Sequence, residues 1–230
     1  MDESSRKEPD EQVEINQINN KINNKILQEN PDGIQERESE TVEKDKGRDL
    51  YEWMQALVTS VLTVVLVFTF FIRMIGVDGH SMVPTLQHGD RLLVLTSLLY
   101  NNYKYGDIVI VRKDSFGVSP IVKRVIATGG QTVDIDFDAG EVYVDGEALD
   151  EPYIRQRTTR SEGMTFPLTV PEGSIFVMGD NRNESTDSRS TMLGTVDTRY
   201  VIGRAMILIF PGTDYYDESK RDFSRLGFLT

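Results

Sequence analysis

The chain has 230 residues, 39% of them hydrophobic, and a formal net charge of −12, so it is long enough to bury the core of one substantial domain. That charge excludes nucleic acid as a partner, because a phosphate backbone is held by a basic surface that releases counterions. The absence of cysteine excludes disulfides, thiolate nucleophiles and cysteine zinc sites.

Residues 1–50 hold 8 Lys/Arg against 14 Asp/Glu. The stretch is rich in Asn, Gln and Glu and poor in aromatics, so it buries too little apolar surface to offset its ordering entropy, and a disordered acidic tail is expected over 1–50. Ile15, Ile18, Ile22 and Ile26 recur at helical spacing inside it, which predicts a transient amphipathic helix, either merely solvated or a docking site for a partner.

From Ala56 to Ile72 the chain runs seventeen residues without a charge, the lower limit for crossing about 30 Å of hydrocarbon. One transmembrane helix is predicted over 51–75, with Tyr51 and Trp53 in an interfacial aromatic belt and Arg73 reaching out at the other end. Arg37, Lys44, Lys46 and Arg48 precede the span, whereas only Arg73 and Arg91 follow at similar range. The positive-inside rule then puts the N-terminus in the cytoplasm and residues 76–230 outside a plasma membrane crossed once.

The exterior part alternates short β-branched runs with Gly, Asp and Pro, as at DIVIV, IVKRVI, TVDID, EVYVD and SIFVM. This predicts a mainly β architecture, an antiparallel β-barrel or sandwich-like catalytic domain, with a hairpin at Asp145-Gly146.

Three segments carry candidate chemistry. In Gly79-His80-Ser81-Met82-Val83-Pro84-Thr85-Leu86 a serine sits before a turn-forming proline, which exposes its hydroxyl on a tight bend. In Ile121-Val122-Lys123-Arg124-Val125-Ile126 two cations fall on opposite faces of an apolar strand, so one of them turns inward. Desolvation disfavours an interior ammonium, and the free amine that results can take a proton from a serine hydroxyl. The third segment, Gly179 to Arg189, follows SIFVM and is dense in turn formers, hydroxyls and opposite charges, as expected of a loop held by its own side-chain network in which Asp187 and Arg189 pair. His80 and His88 are the rival bases and metal ligands. They lack the HExxH spacing, adjacent side chains diverge, and no orienting carboxylate is evident for His88, so neither metal catalysis nor a Ser-His mechanism is expected.

Together these segments resemble the type I signal peptidase family, with its serine box, its LysArgVal lysine box and its GlyAspAsnArgxxSerxAspSerArg box in the same order, and with Gly106 to Val109 fitting a further box. The resemblance runs from about Leu57 to Phe210. It implies a membrane-bound serine endopeptidase that removes signal peptides from secretory preproteins after small residues, works without a cofactor, and meets membrane lipid and potentially the secretion translocon. By that resemblance Ser81 is the nucleophile, Lys123 the general base, and Ser185 aims the lysine by a hydrogen bond. Asp180 would pair with Arg124 and Asp187 with Arg189 as supports, while Val77, Met82, Leu86 and Val122 would line the substrate pockets or serve as core. Gly79 stands where some members carry a hydroxyl for the oxyanion hole, which leaves the Ser81 N–H as one donor and the second undetermined. The stretch from Ile126 to Met178 is short for the family, so no large accessory subdomain is expected. Self-cleaving repressor proteases share the Ser-Lys chemistry but carry a DNA-binding domain and no span. A tethered, non-catalytic β-domain is the other alternative.

Overall fold

The structure is a computed structural model that describes residues 8–29, 31–113 and 119–229. Two units are described in turn, residues 1–63 and residues 64–230.

The first unit is helical, with α1 (Glu8–Glu29) followed by α2 (Pro31–Phe70), which starts on a proline suited to a first helical position and runs on into the second unit. Residues 1–7 of the expected tail lie outside the described residues. Within α1 the isoleucine repeat predicted at Ile15, Ile18 and Ile22 is exposed, and the side chain of Ile26 lies outside the described ones. Local hydrogen bonds thus form the helix that the spacing predicted, without a core to cover it. In α2 the segment Arg48–Phe70 is 23 residues long and apolar enough to cross a membrane, and none of it is buried by protein. Thr59, Thr63 and Thr69 return their hydroxyls to the carbonyls of Gln55, Thr59 and Val65 at 2.7–2.8 Å, which satisfies these three donors on an apolar surface.

The helix closes earlier than expected. Thr96 takes its last carbonyls, through Oγ1 to Phe70 O and N to Phe71 O, and residues expected at the end of the span form strand β1 (Ile72–Gly76). There follow β2 (Arg91–Thr96), β3 (Ile108–Val111), β4 (Ile121–Thr128), β5 (Thr132–Asp136), β6 (Glu141–Val144), β7 (Glu147–Ala148), β8 (Leu168–Thr169), β9 (Ser174–Met178), β10 (Val196–Asp197), β11 (Val201–Phe210) and β12 (Gly227–Phe228). The main sheet has the order β1-β2-β11-β3-β4-β9-β10, with β12 also paired to β11, and every pairing described is antiparallel. Breaks in register at Ala205/Ile207, Val201/Gly203 and Val125/Ala127 mark bulges that bend it. A second sheet, β7-β6-β5-β8, fills the stretch between the lysine and GlyAspAsn boxes. Asp145 at φ 53 and Gly146 at φ 84 make the predicted hairpin turn between β6 and β7.

The sheet order brings the candidate segments together. Val109 is opposite Lys123 and Ile108 opposite Arg124, while Met178, the residue before Gly179, is opposite Arg124. Three boxes distant in sequence therefore meet at one end of three adjacent strands.

Candidate active site

Ser81 lies on a loop closed at its base by Val77 N to Asp90 O at 2.8 Å and Gly89 N to Val77 O at 2.9 Å. Gly79 adopts φ +93, a left-handed conformation open to glycine at low cost. Asn181 clamps the loop twice, donating from its backbone N to Ser81 O at 3.0 Å and from Nδ2 to His80 O at 3.1 Å. Thr85 Oγ1 donates to Asp180 Oδ2 at 2.5 Å.

This docking places the Ser81 hydroxyl 2.6 Å from Lys123 Nζ. Lys123 is 3% exposed. Burial lowers its pKa to about 8, with Arg189 acting in the same sense and Asp187, Glu162 and Asp180 opposing. Near neutral pH an appreciable fraction of this amine is uncharged and able to accept a proton.

Alternation on β4 predicted that one cation would be buried, whereas both are. The reason is the paired loop after β9. Arg124 donates from Nε and Nη2 to the two oxygens of Asp180 at 2.9 and 2.8 Å, from Nη1 to Gly106 O at 2.9 Å, and lies 4.0 Å from the Tyr153 ring centre. Such pairing offsets the desolvation of a fixed charge. Lys123 has the serine hydroxyl in place of a carboxylate.

Ser185 is buried and its hydroxyl donates to Asp187 Oδ2 at 2.8 Å. The bond to the lysine amine implied for it is thus replaced by one to the carboxylate that Arg189 holds. Asp187 receives Arg189 Nε and Nη2 at 2.8 Å each and Gly179 N at 3.0 Å. Burial alone would raise this carboxyl; the Arg189 pairing, the Gly179 amide and the Lys123 charge outweigh it and hold the group below the usual carboxylate range. Gly179 admits no side chain, since a Cβ there would run into Ser185 Oγ and Ser81 O.

Val77, Met82, Leu86 and Val122 share one core cluster with Leu92, Val94, Ile108 and Ile110. Met82 and Leu86 are 1% and 0% exposed, and Val77 and Val122 keep 6% and 8%. The first two are therefore floor beneath the serine turn, and only the valines present any surface. A cavity of about 450 Å³ does adjoin the serine loop, but its lining is polar, with Asp78, His80, His88, Asp214, Tyr215 and Glu218, and includes none of the four.

Contrary to expectation, His88 has a carboxylate beside it, Asp78 at 3.3 Å from Nδ1. The same nitrogen accepts from Gly79 N at 3.2 Å, so it is not donating to Asp78, and the hydrogen bond of Ser81 Oγ is with Lys123. No group of three metal-ligating side chains occurs among the described residues. The Ser81 N–H makes no hydrogen bond among the described residues and is free for a ligand oxygen.

Sequence reasoning did not find several residues that hold this site. The Arg182 guanidinium is bound by Glu151 and by Thr158 Oγ1 at 2.8 Å. Asn183 Oδ1 accepts from the backbone of Thr159 and Arg160 at 3.2 and 3.1 Å, and Glu162 Oε2 accepts from Asp187 N at 3.2 Å. All approach from the 150–164 segment, which lacks hydrophobic periodicity to locate it.

A family model described as signal peptidase, peptidase S26, matches residues 50–210. Signal peptidase I of Bacillus licheniformis is 38% identical over 175 residues, covering 73% of this chain and 92% of that protein. Signal peptidase I T of Bacillus subtilis (strain 168) is 35% identical over 181 residues, 75% and 92% respectively. The crystal structure of a signal peptidase I from Enterococcus faecalis covers 45% of this chain and 96% of that one at 31% identity, with a TM-score of 0.38. The family match spans the serine loop, β3, β4 and the loop after β9, the parts that carry the site, and the chain belongs to the signal peptidase family, peptidase S26.

Proposed function

We propose that this chain removes signal peptides from exported preproteins with Ser81 as nucleophile and Lys123 as general base. Removal of signal peptides by a serine endopeptidase is the activity of the family. The observation that carries the residue assignment is the 2.6 Å approach of the buried Lys123 amine to the Ser81 hydroxyl.

In the proposed reaction Oγ of Ser81 attacks the scissile carbonyl while its proton passes to Lys123 Nζ, and the ammonium then gives that proton to the leaving amine. The carbonyl oxygen takes the negative charge opposite the free Ser81 N–H. Water, deprotonated by the same amine, then hydrolyses the acyl-enzyme. Ser185 acts through Asp187, whose charge lies close enough to favour the lysine ammonium. Asp180 with Arg124, and Asp187 with Arg189, keep the two loops in register.

Specificity for small residues before the cut, of the Ala-X-Ala kind, is assigned to Val77 and Val122, which keep 6% and 8% exposure in the cluster that buries Met82 and Leu86. Arg48–Phe70 spans the plasma membrane with the N-terminus cytoplasmic, which keeps the domain beside lipid and the secretion translocon.

The test is cleavage of a preprotein in detergent across pH. Wild type should gain rate through an apparent pKa of about 8. Ser81→Ala and Lys123→Met should lose at least about 1,000-fold, while His88→Ala should retain activity. Turnover by Lys123→Met at the wild-type rate would overturn the assignment.

A further inference from the structure

Three of the buried carboxylates around the site are neutralised by buried guanidiniums. Asp180 is paired with Arg124, Asp187 with Arg189 and Glu151 with Arg182, and no side chain among these six exceeds 6% exposure. Glu162 differs. Its side chain is 5% exposed, yet its cation is Arg160, 56% exposed and 3.7 Å away. One oxygen, Oε2, accepts from Asp187 N at 3.2 Å, and the other is enclosed without a hydrogen-bond partner.

The segment carrying Glu162 is fixed to the catalytic loop. Gly163 bridges to Ser190, and Met164 N donates to Arg189 O at 3.0 Å. Lys123 shows the complementary deficit, being a buried cation whose hydrogen bond goes to a neutral hydroxyl. Two buried charges of opposite sign, neither cancelled by a close buried partner, feel one another across an interior that screens weakly.

We propose that Glu162 is a positioning residue for the general base, its buried carboxylate holding positive charge on Lys123 and thereby setting the pH range in which the free amine exists. The proposal rests on the reading of Lys123 as base. The charges acting on Lys123 are Asp187, Glu162, Arg189 and Asp180, and those acting on Glu162 are Asp187, Arg189 and Arg160. Asp187 and Arg189 act on the lysine in opposite senses, and Asp180 is matched by Arg124. Glu162 is left as the anion whose ion-pair partner, Arg160, is exposed. Burial, and after it the Asp187 charge, raise its carboxyl above the ordinary glutamate value, against the opposing pull of the Asp187 N–H, Arg189 and Arg160.

The experiment measures kcat/KM on a preprotein from pH 5 to pH 10 for wild type, Glu162→Gln, Glu162→Asp, Arg160→Gln and Lys123→Met. Glutamine keeps an acceptor for Asp187 N and removes the charge. The rising limb should move to lower pH by about 0.5 to 1 pH unit, a gain of roughly 3- to 10-fold relative to the plateau on the limb itself. Aspartate should return the limb toward the wild-type position. Arg160→Gln removes the exposed cation and should move the limb upward, and it remains informative if Glu162→Gln fails to fold. A limb in the wild-type position in every folded variant, whatever its plateau, overturns the role of Glu162. Activity in Lys123→Met, or a wild-type profile with no rising limb, instead overturns the reading of the base.

Discussion

Lys123 and Arg124 are neighbours on β4, equally buried, and differ in what receives their charge. Arg124 has a bidentate carboxylate, a backbone carbonyl and an aromatic face, whereas Lys123 is bonded to the Ser81 hydroxyl. The lysine therefore carries an uncompensated cost of burial, which lowers its pKa. Lys123→Met should make the protein more stable as well as inactive, by up to about 3 kcal/mol near pH 6. The folded lysine titrates near 8 and the unfolded one near 10.5. Between those values the unfolded chain binds more protons, wild-type stability rises with pH, and the advantage of methionine shrinks. Thermal unfolding at pH 6 and pH 10 checks this, and a variant less stable than wild type at pH 6 would contradict it.

The site is assembled by elements that contribute no reacting atom. The C-terminal segment reaches back to the serine loop, where Arg225 donates from Nη1 and Nη2 to Asp90 at 3.1 and 2.7 Å and from Nη2 to Thr85 O at 3.0 Å. Asp90 is fully buried and also accepts from Gln87 N at 2.8 Å and Gly212 N at 2.6 Å. One carboxylate thus ties together the end of the serine loop, the exit of β11 and the turn before β12. Arg225→Ala strands that carboxylate and should cost about 3 kcal/mol, read as a fall in Tm at pH 7. Cleavage should weaken with it, because Thr85 also holds Asp180. Unchanged Tm would show that Asp90 is satisfied by the two amides alone.

At the scale of the whole molecule, α2 exposes an apolar surface over Arg48–Phe70 that none of the described residues buries, and water is a poor solvent for it. The full chain should stay with membranes through alkaline carbonate extraction. Leu62→Arg combined with Leu66→Arg should shift it to the soluble fraction, since each cation at mid-span costs about 2.5 to 3.5 kcal/mol of insertion. Retention of the double variant on membranes would place the anchor elsewhere.

The polarity pattern determined by itself that a long apolar segment precedes a β-rich domain, because hydropathy and alternation are local properties of the chain. The family motifs likewise picked out Ser81, Lys123 and the Asp180 and Asp187 pairs, since their spacing is local to each box. The tertiary structure decided what depends on contacts between boxes: that Arg124 is buried with Lys123, that Ser185 bonds Asp187, and that Met82 and Leu86 lie under the serine turn rather than on a pocket wall. It alone brought Glu162, Glu151 and Arg225 to the site, because no periodicity marks a residue whose partner lies across a sheet. Burial, which lowers the pKa of Lys123 to about 8, belongs to the packed chain and not to any segment of it.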